Sequence, residues 1–341
     1  MFALALTAAG GAFAASPDER TCVVRRPAAS LPRNFKPLFV DVAVPCGNED
    51  SAADRLALVA QPPVSSSLRR VRRRVKPHLE YYGGPVVSNA KVVAVRWNAT
   101  VPADHSAAME GFYRSLTKGA MFDWLSEYDT VGLTGFADGL SGSDQRIGHG
   151  SFAGTYTMTP SQGATVTDSQ ITAALAAHVA SGAIPPPEVD PQGNPVTVYM
   201  IDFPDSVQID DGAGLRSCVN FCAYHSSTRI NGVRSAYGVL PAISGGCLTG
   251  CGAHPNPFDI ATSNASHELV EAVTDPAIGE IGATLTRPAA WFDPQPDQAE
   301  IADICASVAD RDEMLDGYWV QREWSNRWRA CIVAPPPGAL P

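Results

Sequence analysis

Apolar positions along the chain fall into three regimes. The first is a short continuous run from Phe2 to Ala14, closed by Ala12-Phe13-Ala14 before Ala15. An apolar run ending in small residues is the pattern of a secretory signal, although no basic stretch precedes this one. Residues 16 to 76 form the second regime, rich in Pro, Ser, Ala and Arg, without a sustained period, and ending in the basic run Arg69 to Lys76. They read as a pro-segment or a linker, since basic runs mark exposed chain. From residue 77 onward apolar residues recur with the periods of strands and helices, which places one α/β domain over 77–341.

Within that domain, Lys91 to Trp97 is rich in β-branched residues and predicts a strand. Met109, Phe112, Leu116, Met121 and Leu125 stand near helical spacing and predict a helix from about Ala103 to Tyr128. Phe152 to Met158 predicts another strand. Thr167 or Asp168 can cap a helix that runs to about Ser181, where Gly182 and the prolines at 185–187 stop it. Val196 to Asp202 reads as a buried strand, and the stretches near Cys218 to His225 and Ala236 to Ile243 as two more. Asn256-Pro257 opens a helix that ends at Asp275-Pro276. The part from Gly317 to Val333 predicts short strands and loops. This order of strands and helices, with a chemistry-bearing helix last, is the order of a zincin-like mixed sheet, an analogy of architecture that leaves function open.

Charge divides the chain as sharply as periodicity does. Up to Lys76 there are 12 Lys and Arg against 6 Asp and Glu, a net +6; beyond it 13 face 29, a net −16. An acidic folded part argues against nucleic acid as a partner. No later stretch reaches the roughly 18 to 20 apolar residues of a membrane span. Opposite charge on the two parts raises the expectation that residues 16–76 dock on the domain as an autoinhibitory pro-segment. Eight cysteines, at 22, 46, 218, 222, 247, 251, 305 and 331, are an even set in a chain with an export pattern, so disulfides are expected. Separation along the chain favours Cys22 with Cys46 and Cys305 with Cys331. The spacings Cys218-x3-Cys222 and Cys247-x3-Cys251 leave a zinc knot as the lesser alternative.

The stretch Ala265 to Pro276 carries the chemistry. On a helix, His267 and Glu271 are four residues apart and project from one face, where both can ligate a metal. Glu268 follows the first ligand, where a His-Glu-x-x-His protease keeps its general base, but Glu271 stands in place of the second histidine. A carboxylate is a legitimate zinc ligand. Glu271 and Asp275 also place like charges at i,i+4 near the helix C-terminus, which a bound cation would relieve. Glu300 or Asp303, beside Cys305, supplies a third ligand, with Asp293 in reserve. His225 and His254 lie among the cysteines, where a structural role is the default and a ligand reaching the same cleft the lesser alternative. Ser266 lacks the glycine elbow of a serine hydrolase. Asp202 to Asp205 with Asp210 and Asp211 reads as a solvated acidic loop, with calcium as the lesser alternative.

Tyr81-Tyr82-Gly83-Gly84-Pro85 with the following strand to Trp97, Cys218-x3-Cys222-x2-His225, Cys247-x3-Cys251 and Ser263 to Pro276 together resemble the Exordium or phosphate-induced protein 1 family, over roughly residues 80 to 276. Plant members are secreted cell-wall proteins without an accepted enzymatic activity, and their region matching Ser263 to Pro276 lacks the His-Glu pair. A microbial branch resembles metallopeptidases, with Ser-His-Glu-x-x-Glu-Ala-x-Thr-Asp-Pro and a later Glu-Ile-x-Asp-x-Cys. His267, Glu268, Glu271, Glu300 and Asp303 match that branch. The resemblance implies a secreted, extracellular or periplasmic, zinc-dependent endopeptidase acting on protein or peptide substrates. Its alternative is a non-enzymatic extracellular or cell-wall-binding protein.

Overall fold

A computed structural model describes the strands at 21–23 and 43–45 and residues 76–338, apart from 162, 212, 213, 281–285, 295–299 and 337. The expected signal run, most of the pro-segment or linker, and the pairing of Cys22 with Cys46 lie outside the described residues. Strands β1 (Thr21–Val23) and β2 (Ala43–Pro45) pair antiparallel.

The domain is organised by a five-stranded sheet. Its strands are β4 (Asn89–Arg96), β5 (Gly148–Thr157), β7 (Thr197–Asp202), β9 (Tyr224–Ile230) and β10 (Val233–Leu240), in the order β5-β4-β7-β10-β9. Four strands run parallel and β9 is an antiparallel edge. Both faces are covered, as a parallel sheet requires. Val92 and Ala94 of β4, with Val198 and Met200 of β7, point into a core shared with helices α1 (Ala103–Leu116) and α5 (Pro257–Thr274). Val93, Val95, Tyr199 and Ile201 point the other way, onto α3 (Asp168–Ala180). The period-2 alternation thus sorts one continuous apolar run into two cores.

Around this sheet lie short pieces. They are β3 (Glu80–Tyr81) paired with β11 (Trp291–Phe292), β6 (Thr165–Thr167) with β8 (Gln208–Asp210), β12 (Asp312–Leu315) with β13 (Tyr318–Gln321), and β14 (Glu323–Ser325) with β15 (Ala330–Ile332). The helix expected over 103–128 is broken at Thr117–Gly119 into α1, α2 (Ala120–Trp124) and a 3-10 turn at Leu125–Tyr128. A further turn of helix there would have to pass Gly119, whose position is extended (ψ 179°) and closely approached by the Asp316 carboxylate. The expected acidic loop is not solvated throughout: Asp202 ends β7 and is buried, as is Asp211.

Among the described residues three disulfides are present: Cys218 with Cys247, Cys222 with Cys251, and Cys305 with Cys331. The first two exclude the zinc knot and tie the approach to β9 onto the short helix α4 (Gly245–Gly250), just ahead of α5. The third holds the turn at Asp303–Cys305 against β15. Helix α5 is capped as its sequence demands: the Asn256 side chain accepts from the Phe258 amide and Pro257 fills the first turn. From Thr262 to Thr274 every residue of α5 is buried, because the sheet covers one side and β13 the other. At Gly238 of β10 a Cβ would crowd the end of the Met200 side chain at 2.8 Å while meeting Glu268 Cβ at an ordinary 3.6 Å.

The Cys305 to Cys331 bridge closes a loop of 26 residues, for which chain entropy gives about 3.5 kcal/mol. The double variant Cys305→Ser, Cys331→Ser should lose about that much unfolding free energy in a urea titration. An unshifted midpoint would show that the bridge adds nothing to the folded domain.

Candidate metal centre

Five carboxylates and two imidazoles meet where α5 crosses beneath β9 and β10: Glu268, Glu271, Glu300, Asp303 and Glu323 with His225 and His267. Helix α5 supplies His267, Glu268 and Glu271. His225 comes from the start of β9, on the face opposite Tyr224, which packs with the α3 core. Glu300 and Asp303 come from the turn anchored by Cys305, and Glu323 opens β14. Exposure of His267, Glu268 and Glu271 is no more than 1%.

Glu271 is the centre of the arrangement. Its Oε1 accepts from the Asp303 backbone N–H at 3.2 Å. Its Oε2 lies 3.2 Å from Nδ1 of His225 and 3.3 Å from Nε2 of His267. The Glu268 carboxylate spans the same gap, with Oε2 3.6 Å from His225 Nδ1 and Oε1 4.0 Å from His267 Nε2. Asp303 Oδ1 is 3.5 Å from His267 Nε2. Two groups of metal-ligating atoms therefore form, each drawn within 4.8 Å: His267, Glu271 and Asp303, and His225, Glu268 and Glu271.

Both imidazoles are oriented from behind. The Gln321 side chain donates through Nε2 to the Ala302 carbonyl at 2.8 Å, which turns its Oε1 toward His267 Nδ1 at 3.1 Å. With Nδ1 donating to Gln321, Nε2 is the nitrogen turned to Glu271 and Asp303, and it can ligate a cation that displaces its proton. The far nitrogen of His225, Nε2, lies 3.4 Å from Glu300 Oε1. The same carboxylate-behind-histidine arrangement supports ligating imidazoles in metal sites.

The charge balance is strained without a cation. Burial works against a charged imidazole at His267, yet Glu271 and Glu268 outweigh it and hold its pKa well above the ordinary histidine value. His225 is likewise raised against burial by Glu300, Glu268 and Glu271. Desolvation pushes up the carboxyl groups of Glu268 and Asp303. It also raises Glu323, both of whose side-chain oxygens are buried without a hydrogen-bond partner among the described residues. Glu271 alone goes down: burial opposes its charge, but His267 and His225 prevail. A buried Glu268 Oε1 without a hydrogen-bond partner, beside imidazole nitrogens aimed inward, is a donor set that suits a divalent cation.

The residues expected from the sequence separate here. His267, Glu271 and Asp303 share one group and Glu268 belongs to the other, whereas Glu300 is placed behind His225, outside both groups. Asp293 accepts from the His78 amide at 3.4 Å and stands outside both groups as well. His254 pairs with Asp312 at 3.0 Å. Ser266 has a structural post, donating to the Ser263 carbonyl and accepting from the Gln321 amide. Gln321 and Glu323 are the members that sequence reasoning did not assign, while His225, whose ligand role was only the lesser alternative, stands in the second group. For Glu323 a signal existed in a lone carboxylate between Val320 and Trp324, both apolar and buried.

Groups whose folded pKa is raised, as at His225 and His267, stabilise the fold fully below the unfolded histidine value of about 6.5 and lose that contribution as pH rises through the folded pKa. Raised carboxyl groups act in the same direction. Chelated protein should therefore melt at progressively lower temperature as pH climbs from about 6.5, while the stabilisation given by added zinc should grow, because protons no longer compete for the ligands. Thermal melts with chelator and with zinc across that range measure both; a zinc shift independent of pH would exclude these histidines as ligands. No protein-family model, curated protein or solved structure matches the chain.

Proposed function

We propose that the protein is an exported zinc-dependent endopeptidase of zincin-like architecture, its zinc held by His267, Glu271 and Asp303. The observation that carries this reading is the orientation of His267, whose Nδ1 faces Gln321 while Nε2 faces two carboxylates. The order of elements supports it too, with the ligand helix following a mostly parallel sheet that ends in an antiparallel edge strand. Disulfides fit an oxidising compartment, and no described helix is long and apolar enough to cross a membrane.

When bound, zinc would polarise a scissile carbonyl and acidify a water molecule. The chain's own groups do the rest. Glu268, its pKa raised by burial, would take the proton of the attacking water and return it to the leaving amine. His225, held by Glu300 behind it, turns its Nδ1 to Glu268 and Glu271, where a raised pKa lets it balance their negative charge. Glu300 in this account positions His225.

Near-complete burial of the ligands favours a second reading, in which zinc is purely structural and the protein is a non-enzymatic extracellular binder, since structural sites are closed and catalytic ones keep an open position. Metal analysis together with casein hydrolysis, with and without chelator, separates the two. A structural zinc predicts loss of stability on chelation and no hydrolysis at any stage.

Glu268→Gln should keep stoichiometric zinc and the thermal stability of the zinc form while lowering kcat by about 10²- to 10⁴-fold. An undiminished rate would remove Glu268 from the mechanism. His267→Ala should bind no stoichiometric zinc, and unchanged metal content in that variant would place the metal elsewhere.

A further inference from the structure

A cavity of about 180 Å³ opens at the C-terminal ends of β7 and β10, between the start of α1 and the first two turns of α5. The outer ends of parallel strands are where open α/β sheets take ligands. Phe203, Leu240, Phe258 and Ala261 make its walls largely apolar. Its size is below the roughly 300 to 1,000 Å³ of pockets for whole small molecules and close to the roughly 150 Å³ that accepts one benzene. It fits one branched or aromatic side chain.

Asn264 gives the cavity a polar end. It is 2% exposed, and both Oδ1 and Nδ2 are buried without a hydrogen-bond partner among the described residues. A buried amide left in that state is costly, and its side-by-side donor and acceptor match the C=O and N–H of a peptide group. The other polar groups of the lining satisfy each other, with His105 Nε2 lying 3.3 Å from the Asp202 carboxylate.

Two elements run from the cavity toward the metal centre. Asn264 and Glu268 are four residues apart on α5, neighbours on one face about 5 to 6 Å apart at Cβ. Leu240, in the cavity wall, shares its face of β10 with Gly238, over which Glu268 packs. One helical turn separates the amide of Asn264 from the carboxylate of Glu268, a span comparable to that between consecutive peptide groups of a bound chain.

We infer that this cavity is the subsite for a residue flanking the scissile bond, taking one apolar side chain of leucine or phenylalanine size while Asn264 holds that residue's peptide group. The inference rests on the peptidase reading. It is tested with the full zinc-loaded protein and quenched peptides that differ only in the residue on one or other side of the cleaved bond. Leu and Phe should exceed Ala in kcat/KM by at least about 10-fold at one flanking position, and Asp should be worse still. Ala261→Phe, which fills the cavity, should erase that preference. Ala261→Leu and Asn264→Ala serve if the larger ring prevents folding.

A second measurement does not need hydrolysis: N-acetyl-leucinamide should bind the wild-type protein, and bind Ala261→Phe or Ala261→Leu at least about 10-fold more weakly. Cleavage without preference at either flanking position, or a preference that survives filling of the cavity, overturns the subsite and leaves the peptidase standing. Uncut peptides with amide binding lost on filling would support the cavity as an apolar-amide site and discard the peptidase. No amide binding overturns the inference whatever the peptides do.

Discussion

A set of carboxylates that outnumbers its imidazole partners, and from which water is shut out, must be neutralised by protons or by a cation. In this domain that requirement gathers on Glu271, whose single oxygen faces both His225 and His267. Without a metal, the balance tilts toward protons: the surrounding carboxylates raise both histidines, and burial raises Glu268, Asp303 and Glu323. With a divalent cation the same ligands could give up protons. Either way the centre is costly to assemble, because buried charge is tolerated only when its geometry is held firmly.

Much of the surrounding structure can be understood as that restraint. Helix α5 is buried on every side over Thr262–Thr274, so the side chains it carries have little freedom to turn toward solvent. Gln321 and Glu300 set the two imidazole rings from behind, and the Asp303 backbone fixes one oxygen of Glu271. The disulfide at Cys305 ties down the turn that brings Glu300 and Asp303 in from a remote part of the chain. Glu268 packs over Gly238 of β10 and reaches His225 on the neighbouring strand.

This closure separates two tasks that an endopeptidase would have to combine. The centre excludes water, which strengthens electrostatic interactions inside it, whereas recognition needs an opening. The cavity above Asn264 offers that opening one helical turn away, with apolar walls made by the same strand ends and helix turns that carry the core. In the alternative structural reading the burial explains itself, and the cavity then stands apart from the metal.

Local rules determined a good deal from the sequence alone. The parallel strands were legible because Val92 to Val95 and Val198 to Ile201 are continuous apolar runs, and α5 was legible from Asn256-Pro257 at one end and Asp275-Pro276 at the other. The i,i+4 spacing of His267 and Glu271 placed two ligands on one face for the same reason. Pairing along the chain pointed to Cys305 with Cys331, but not to the crossed partners of Cys218 and Cys222, whose distances depend on how β9 meets α4. Tertiary structure alone brought His225 across from the edge strand and set Gln321 and Glu300 behind the rings. It alone buried Glu323, and it left Asn264 facing a cavity. Those positions are fixed by packing between elements far apart in sequence, and neither helical spacing nor strand alternation carries information about which distant face a side chain will meet.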